Sequence, residues 1–261
     1  MSDFQRLSKA PIILSVLEVK FAPPDSMTIK DLAGLKVIFK EDFPVQVERN
    51  QAQFQFNPSS KTVPVNVQQD AYVFTSTSKK HEILITTDSF SFLQHGSYDT
   101  WAAFKKVGLG AWIKCESFIK PTSIDRLSVR YVNSVELPYP PNTVQTQEKF
   151  FKTTIVGPTT GKPIQQYSMR FTHPAGDDGI MVHFAQDLKP GVSGLFPFII
   201  DIDVLYFNNN TVLRSARLIR LFRRRCHPSV IVSTSFTNSS EERVSRSFGK
   251  FSRFVKNDQK R

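Results

Sequence analysis

"IDRLSVRYVNSVELP", residues 124 to 138, is the clearest strand signal in the chain. Leu127, Val129, Tyr131, Asn133, Val135 and Leu137 point one way, and Arg126, Ser128, Arg130, Val132, Ser134 and Glu136 point the other. Such alternation marks a strand with one buried face, because successive side chains leave a pleated sheet on opposite sides. The first set is read as core, with Asn133 a hydrogen-bonded amide inside it. The second set carries two arginines. A row of guanidinium groups on a sheet can hold phosphates or carboxylates bidentately, so Arg126 and Arg130 form a candidate sheet-face anion site, with Arg170 on a similarly polar face further on. The plainer reading is cross-strand pairing with acids such as Glu136 or Asp201.

Upstream of this strand, "APIILSVLEVKFAPP" (10–24) is apolar on both sides, as a central strand would be, and Pro23-Pro24 end it. In 25–44, Ile29, Leu32, Leu35 and Phe39 recur at helical spacing after cap-type residues and predict a helix. "NQAQFQFN" alternates as a strand, "KTVPVNVQQD" is weaker, and 71–94 divides into two or three antiparallel strands with a turn at Ser78-Lys79-Lys80. A second helix is predicted over 97–120, with Trp101, Phe104, Ala111 and Ile119 near one face and Gly108 and Gly110 weakening its middle.

Downstream, the prolines of "PYPPNTVQTQ" mark a boundary. "EKFFKTTIV" is a short helix or strand, and "QQYSMRFTH", "GIMVHFAQ" and "FPFIIDIDVLYF" are strands, the first two joined by a turn at "PAGDDG" (174–179). After "NNNT" the pattern is helical through an arginine-rich stretch, and "SEERVSRSFGKFSRF" is helical again. The expected fold class is α+β, two lobes of mainly antiparallel sheet flanked by helices. The lobes span 1–140 and 141–248, and a basic tail spans 249–261; no residue-level repeat is detectable between the lobes.

Charge is distributed very unevenly. The formal net charge is +11, and residues 213–261 hold 13 Lys/Arg against the three acids Glu241, Glu242 and Asp258, which is +10. Charge serving solubility alone would be spread over the chain, so the asymmetry points to a basic surface. In "RSARLIRLFRRRCHPSV" (214–230), Arg214, Arg217, Arg220 and Arg224 recur every three or four residues. Leu213, Ala216, Ile219 and Phe222, or Leu218, Leu221 and Phe222, form an apolar flank to them. Arg223 and Arg225 complete the run, and Arg246, Lys250 and Arg253 extend it into the tail, where Phe251 and Phe254 interleave with basic residues. Three uses compete: a solvated helix face, phosphate contacts in a nucleic acid, or contact with an acidic protein partner or membrane surface. Aromatic rings among basic residues also suit stacking of single-stranded bases.

Chemistry-bearing motifs are sparse. Asp201 and Asp203 share a strand face with Cα atoms roughly 7 Å apart, close enough for a metal or acid/base pair that His183 could join. A second cluster at ligand spacing is missing, and a solvent-facing or arginine-paired role accounts for them as well. Cys115 and Cys226 are far apart and read as reduced, unrelated thiols. Cys226-His227, adjacent in sequence, diverge on a helix and make no catalytic pair. "GLGAW" (108–112) lacks the spacing and Lys-Ser/Thr ending of a phosphate loop. No catalytic residue, metal or cofactor is predicted.

The opening "LSKAPIILSVLEVKF", the Arg126, Arg130, Tyr131 and Asn133 strand, "IIDIDV" (199–204) and "TSFTNSSEERVSRSFG" together resemble a sporadically distributed bacterial family of uncharacterised proteins. That family has a Pro-Ile N-terminal strand and an Arg-x-x-x-Arg-Tyr-x-Asn central strand. The arginine-rich segment and long basic tail depart from its pattern. The resemblance implies a bacterial accessory role, of the kind found in defence-type gene islands, and no mechanism.

The opening residues carry an early acid and no small-residue cleavage site, and the longest apolar run, "GLFPFII" (194–200), is too short to span a bilayer. A cytoplasmic, non-enzymatic accessory or adaptor protein is therefore expected, binding an acidic protein partner through the basic C-terminal surface. The alternative is a sequence-nonspecific nucleic-acid binder using that same surface. The sequence leaves the oligomeric state open, a homodimer included.

Overall fold

β1 (Ile12–Ala22) runs down the middle of a sheet, as expected, hydrogen-bonded along both edges, but only one of its faces is apolar: Leu17, Val19 and Phe21 are buried while Glu18 and Lys20 stand on the other face in ion pairs. The protein is described from a computed structural model covering residues 11–54, 65–138, 166–175, 180–190 and 195–207. After β1 come a 3-10 turn (Ile29–Gly34) and the short α1 (Leu35–Phe39). Four strands follow: β2 (Val45–Phe54), β3 (Val65–Thr75), β4 (His81–Ile85) and β5 (Ser89–His95). Then come α2 (Trp101–Ile119) and β6 (Ser123–Pro138). The described chain ends with β7 (Tyr167–Pro174), β8 (Ile180–Leu188) and β9 (Leu195–Phe207).

The nine strands among the described residues belong to one sheet in the order β2-β3-β4-β5-β1-β6-β9-β8-β7, antiparallel throughout. This corrects the expectation of two α+β lobes flanked by helices. β6 pairs with β1 on one edge and with β9 on the other, from Arg126↔Phe207 to Pro138↔Leu195, so the sheet runs unbroken across both halves of the chain. The alternation of β6 was legible in sequence, but alternation does not say which strand takes which edge. The expected boundary at 140/141 and the tail at 249–261 lie outside the described residues.

The strand order is symmetric about the β1–β6 seam. Moving outward, β1 is followed by β5, β4 and β3, and β6 by β9, β8 and β7. Among the described strands, the first of each half pairs with the last, and the strands between lie further from the seam. An antiparallel seam relates the halves by a local twofold axis perpendicular to the sheet, so equivalent elements lie on the same side.

The helices pack on one side of the sheet. Trp112 of α2 meets Phe21 and Phe90, with ring centroids 5.6 and 5.5 Å away, and Phe104 meets Phe92 at 5.4 Å. From α1, Phe39 meets Phe74 at 5.3 Å. These rings, with Leu17, Val19, Val129 and Tyr131, form the main core. Asn133 lies at its margin and donates from Nδ2 to the Ile200 carbonyl at 3.2 Å, as its place in the pattern implied.

Local chemistry sets the helix ends. Thr100 caps α2 by accepting from the Ala103 amide at 3.2 Å, and Lys120, in the left-handed region at φ 53°, closes it before Pro121. The predicted helix over 25–44 is shorter and tighter than its periodicity implied. The Thr28 amide and hydroxyl both donate to Asp31 Oδ2 at 2.7 Å, and a 3-10 turn precedes a single turn of α-helix. Gly34 sits at the junction, where an added Cβ would come within 2.8 Å of the Phe118 ring. The turn expected at Ser78-Lys79-Lys80 is present, with Lys79 at φ 57° and its amide donating to the Ser76 carbonyl at 2.8 Å. The "PAGDDG" turn is largely outside the described residues, but β7 and β8 pair as its flanking strands should, from Tyr167↔Leu188 to Pro174↔Met181.

Candidate functional site

β6 crosses mid-sheet and sends Arg126, Ser128 and Arg130 out from the face opposite the helices. Directly across on β1 stand Lys20, Glu18 and Val16, and on β9 stand Phe207, Leu205 and Asp203. The alternation of three strands thus gathers Glu18, Arg126, Arg130, Asp201 and Asp203 in one patch. His183 on β8 lies in register with Asp203.

Both arginines are engaged by carboxylates. Arg130 grips Asp201 bidentately, Nε to Oδ1 at 2.8 Å and Nη2 to Oδ2 at 2.5 Å, and this bond holds the guanidinium more firmly protonated than usual. Arg126 pairs through Nη2 with Glu18, while its Nε is buried without a hydrogen-bond partner. Asp201 was one of the acids expected from sequence. Glu136 is not the partner of Arg126; it lies toward the far end of β6, opposite Pro197. Glu18 was missed. The available signal was a single acid within the central strand, but nothing local says which neighbour β1 pairs with.

Asp203 lies on the row between the arginines and His183. Burial pushes its carboxyl above the usual range and Glu18 adds to this, while a hydrogen bond with Ser128 and the charges of Arg130 and Arg126 pull the other way. Its Oδ1 is buried with no hydrogen-bond partner. The carboxylate pair read from sequence is therefore divided. Asp201 is neutralised by Arg130, and Asp203 faces His183. No group of three or more His, Cys, Asp or Glu side chains able to hold a metal occurs among the described residues. Arg170 is on the same face, donating to Ser168 Oγ at 2.9 Å with Asp187 at 3.9 Å.

A polar cleft of ≈ 620 Å³ between β2, β3 and the β4–β5 turn was not read from sequence. Thr28, Gln51, Gln68, Gln69 and Thr86 line it, and Gln69 Nε2 is buried there without a partner. Its residues come from β2, β3 and separate loops with no shared motif.

Cys115 is a free, fully buried thiol on α2, and burial holds its pKa well above the ordinary range, as an inert core thiol requires. The predicted contact residues Arg214, Arg217, Arg220, Arg223, Arg224, Arg225, Arg246, Lys250 and Arg253, together with Cys226 and His227, lie outside the described residues. Among the described residues no helix is long and apolar enough to cross a membrane. No family model matches the chain, and no curated protein matches it.

Proposed function

We propose that the protein is a non-enzymatic accessory or adaptor protein of the bacterial cytoplasm that engages an acidic protein partner through its basic C-terminal fifth. The observation that carries this reading is where the acids of the preceding chain are spent. Glu18, Asp42, Asp70, Asp88, Asp99, Asp187 and Asp201 each pair with a lysine or arginine that also lies before residue 208, and Glu82 pairs with His95. These acids have partners close at hand, while residues 213–261 carry +10 by count. A basic block of that size attracts an acidic surface and speeds its encounter. The sheet-face arginines Arg126 and Arg130 serve this reading less well, because each already grips a carboxylate. The family resemblance adds the setting of a defence or regulatory module.

The test is co-purification of the full chain from its native host, beside a variant carrying Arg217→Glu, Arg220→Glu and Arg224→Glu. A protein partner recovered with the parent and lost with the variant, at unchanged thermal midpoint, is the expected result. Equal recovery with both overturns the reading. Nucleic acid in the eluate, seen by its absorbance ratio, overturns the protein-partner reading in favour of a nucleic-acid binder. Affinity should then fall steeply with salt, with a log–log slope of about −0.9 per phosphate contact on duplex DNA.

A further inference from the structure

We propose that the polar cleft between β2, β3 and the β4–β5 turn is a binding site for a small uncharged polyhydroxy ligand, a sugar or polyol. Strand lengths create the space. β3 starts at Val65, and its register with β4 runs from Tyr72↔Ile85 to Thr75↔Glu82, so Gln68, Gln69 and Asp70 lie past the end of β4. The β4–β5 turn at Thr86 to Asp88 and the segment at Thr28 and Ile29 form the other walls. At the same level the β2–β3 register shifts between Arg49↔Ala71 and Asn50↔Gln69, leaving Asp70 as the extra residue. A bulge of this kind breaks a strand's alternation and re-aims its side chains, and here the neighbours Gln69 and Asp70 both border the cleft. At ≈ 620 Å³ the cleft has the size of a small-molecule site, for which roughly 300–1,000 Å³ is usual.

The lining selects the class of ligand. Thr28, Gln51, Gln68, Gln69, Thr86 and Thr87 are neutral, and each offers both a donor and an acceptor. Hydroxyl groups have the same double capacity, so a polyol matches such a wall group by group. The two acids of the lining are already matched. Asp70 accepts from Arg49 at both oxygens, from Nε at 3.1 Å and Nη2 at 2.7 Å. Asp88 accepts from Thr86 Oγ1 at 2.7 Å and pairs with Lys20 at 3.5 Å. These hydrogen bonds hold both carboxyls below the usual range. A cationic ligand would compete with those partners, and an anionic one would meet two negative charges; a neutral ligand does neither. Gln69 is an independent pointer, because its Nε2 is buried without a hydrogen-bond partner. A buried donor left unpaired is unfavourable, and an oxygen of a ligand seated in the cleft relieves it. Parts of the wall are fixed in advance: Thr28 Oγ1 donates to Asp31 Oδ2 at 2.7 Å, and the Thr86 amide donates to the Ser89 carbonyl at 2.9 Å. Such order lowers the cost of binding. The proposal does not depend on what the basic C-terminal fifth engages.

Titration calorimetry of the full chain against glucose, maltose and myo-inositol, with glucosamine and glucuronate as charged counterparts, tests it. Saturable binding of at least one neutral compound at concentrations up to about 50 mM is expected, with weaker binding of the charged ones. No saturable binding by any neutral compound overturns the proposal, as does preference for a charged one. Gln69→Met then locates the site. In the free protein it should leave the thermal midpoint unchanged or raised, since the Nε2 that it removes has no partner. It should weaken the neutral ligand by about tenfold. Unchanged affinity overturns the proposal, and a midpoint lowered in the free protein shows that the amide serves the fold rather than a ligand. Should Gln69→Met fail to fold, Gln51→Ala, opposite Gln68 on β2, takes its place with the same expected loss of affinity.

Discussion

Asp203 shows how one residue's surroundings decide its chemistry. Its folded pKa is raised, mainly by burial, so the folded state holds this proton more tightly than the unfolded chain does. The stability this contributes is complete below the ordinary aspartate pKa of about 4 and is lost as pH rises through the folded value. Asp203→Asn removes the titration. The variant should equal or exceed the parent in urea midpoint at neutral pH, and the difference should shrink as pH falls toward the ordinary aspartate range. A variant that loses stability at pH 7 would show instead that the carboxylate is held ionised by Arg126 and Arg130. The Arg130–Asp201 pair is bidentate but half-exposed on the arginine side. A double-mutant cycle with Arg130→Ala and Asp201→Ala should therefore give a coupling of about 1 kcal/mol, in the range of well-formed surface pairs and below that of a buried one. Thermal melts of the four proteins measure it.

At the scale of the element, α2 contains two glycines that look alike in sequence and differ in place. Gly108 is where the helix backbone comes closest to the sheet: an added Cβ would stand 2.7 Å from Phe92 Cδ1 and 3.3 Å from Leu17 Cδ1, both on buried side chains with no room to yield. Gly108→Ala should cost about 1–3 kcal/mol by overpacking. Gly110 meets nothing within 4 Å, and Gly110→Ala should stabilise by about 0.5–1 kcal/mol through helix propensity alone. Chemical denaturation of the two variants should move the midpoint in opposite directions. Both glycines reduce helix propensity in the chain alone; only the packing partner shows that one of them is required.

For the whole molecule, the unbroken sheet makes a thermodynamic demand. Both tryptophans lie on α2 in the first half, where Trp112 packs on β1 and β5. If β1 and β6 bind the halves into one core, tryptophan fluorescence and far-ultraviolet circular dichroism should report coincident unfolding transitions in urea. Two separable transitions would mean that the seam does not couple the halves. Leu17→Ala, at a fully buried seam position opposite Val129, should lower stability by about 2–5 kcal/mol and shift both probes together.

The sequence by itself determined the local elements. The alternation of 124–138, the central place of β1 and the hairpin turn at Lys79 were legible, because each depends on residues a few positions apart. The same holds for the +10 of residues 213–261, which needs only counting. Tertiary structure decided what depends on distant neighbours: that β6 takes β1 on one edge and β9 on the other, that Glu18 rather than Glu136 meets Arg126, and that Asp201 rather than Asp203 takes the bidentate grip of Arg130. Periodicity tells which side chains share a strand's face, while edge pairing and register are chosen by the packing of the whole sheet. For that reason the alternating strands were visible one by one, and their union into a single sheet with a twofold order was not.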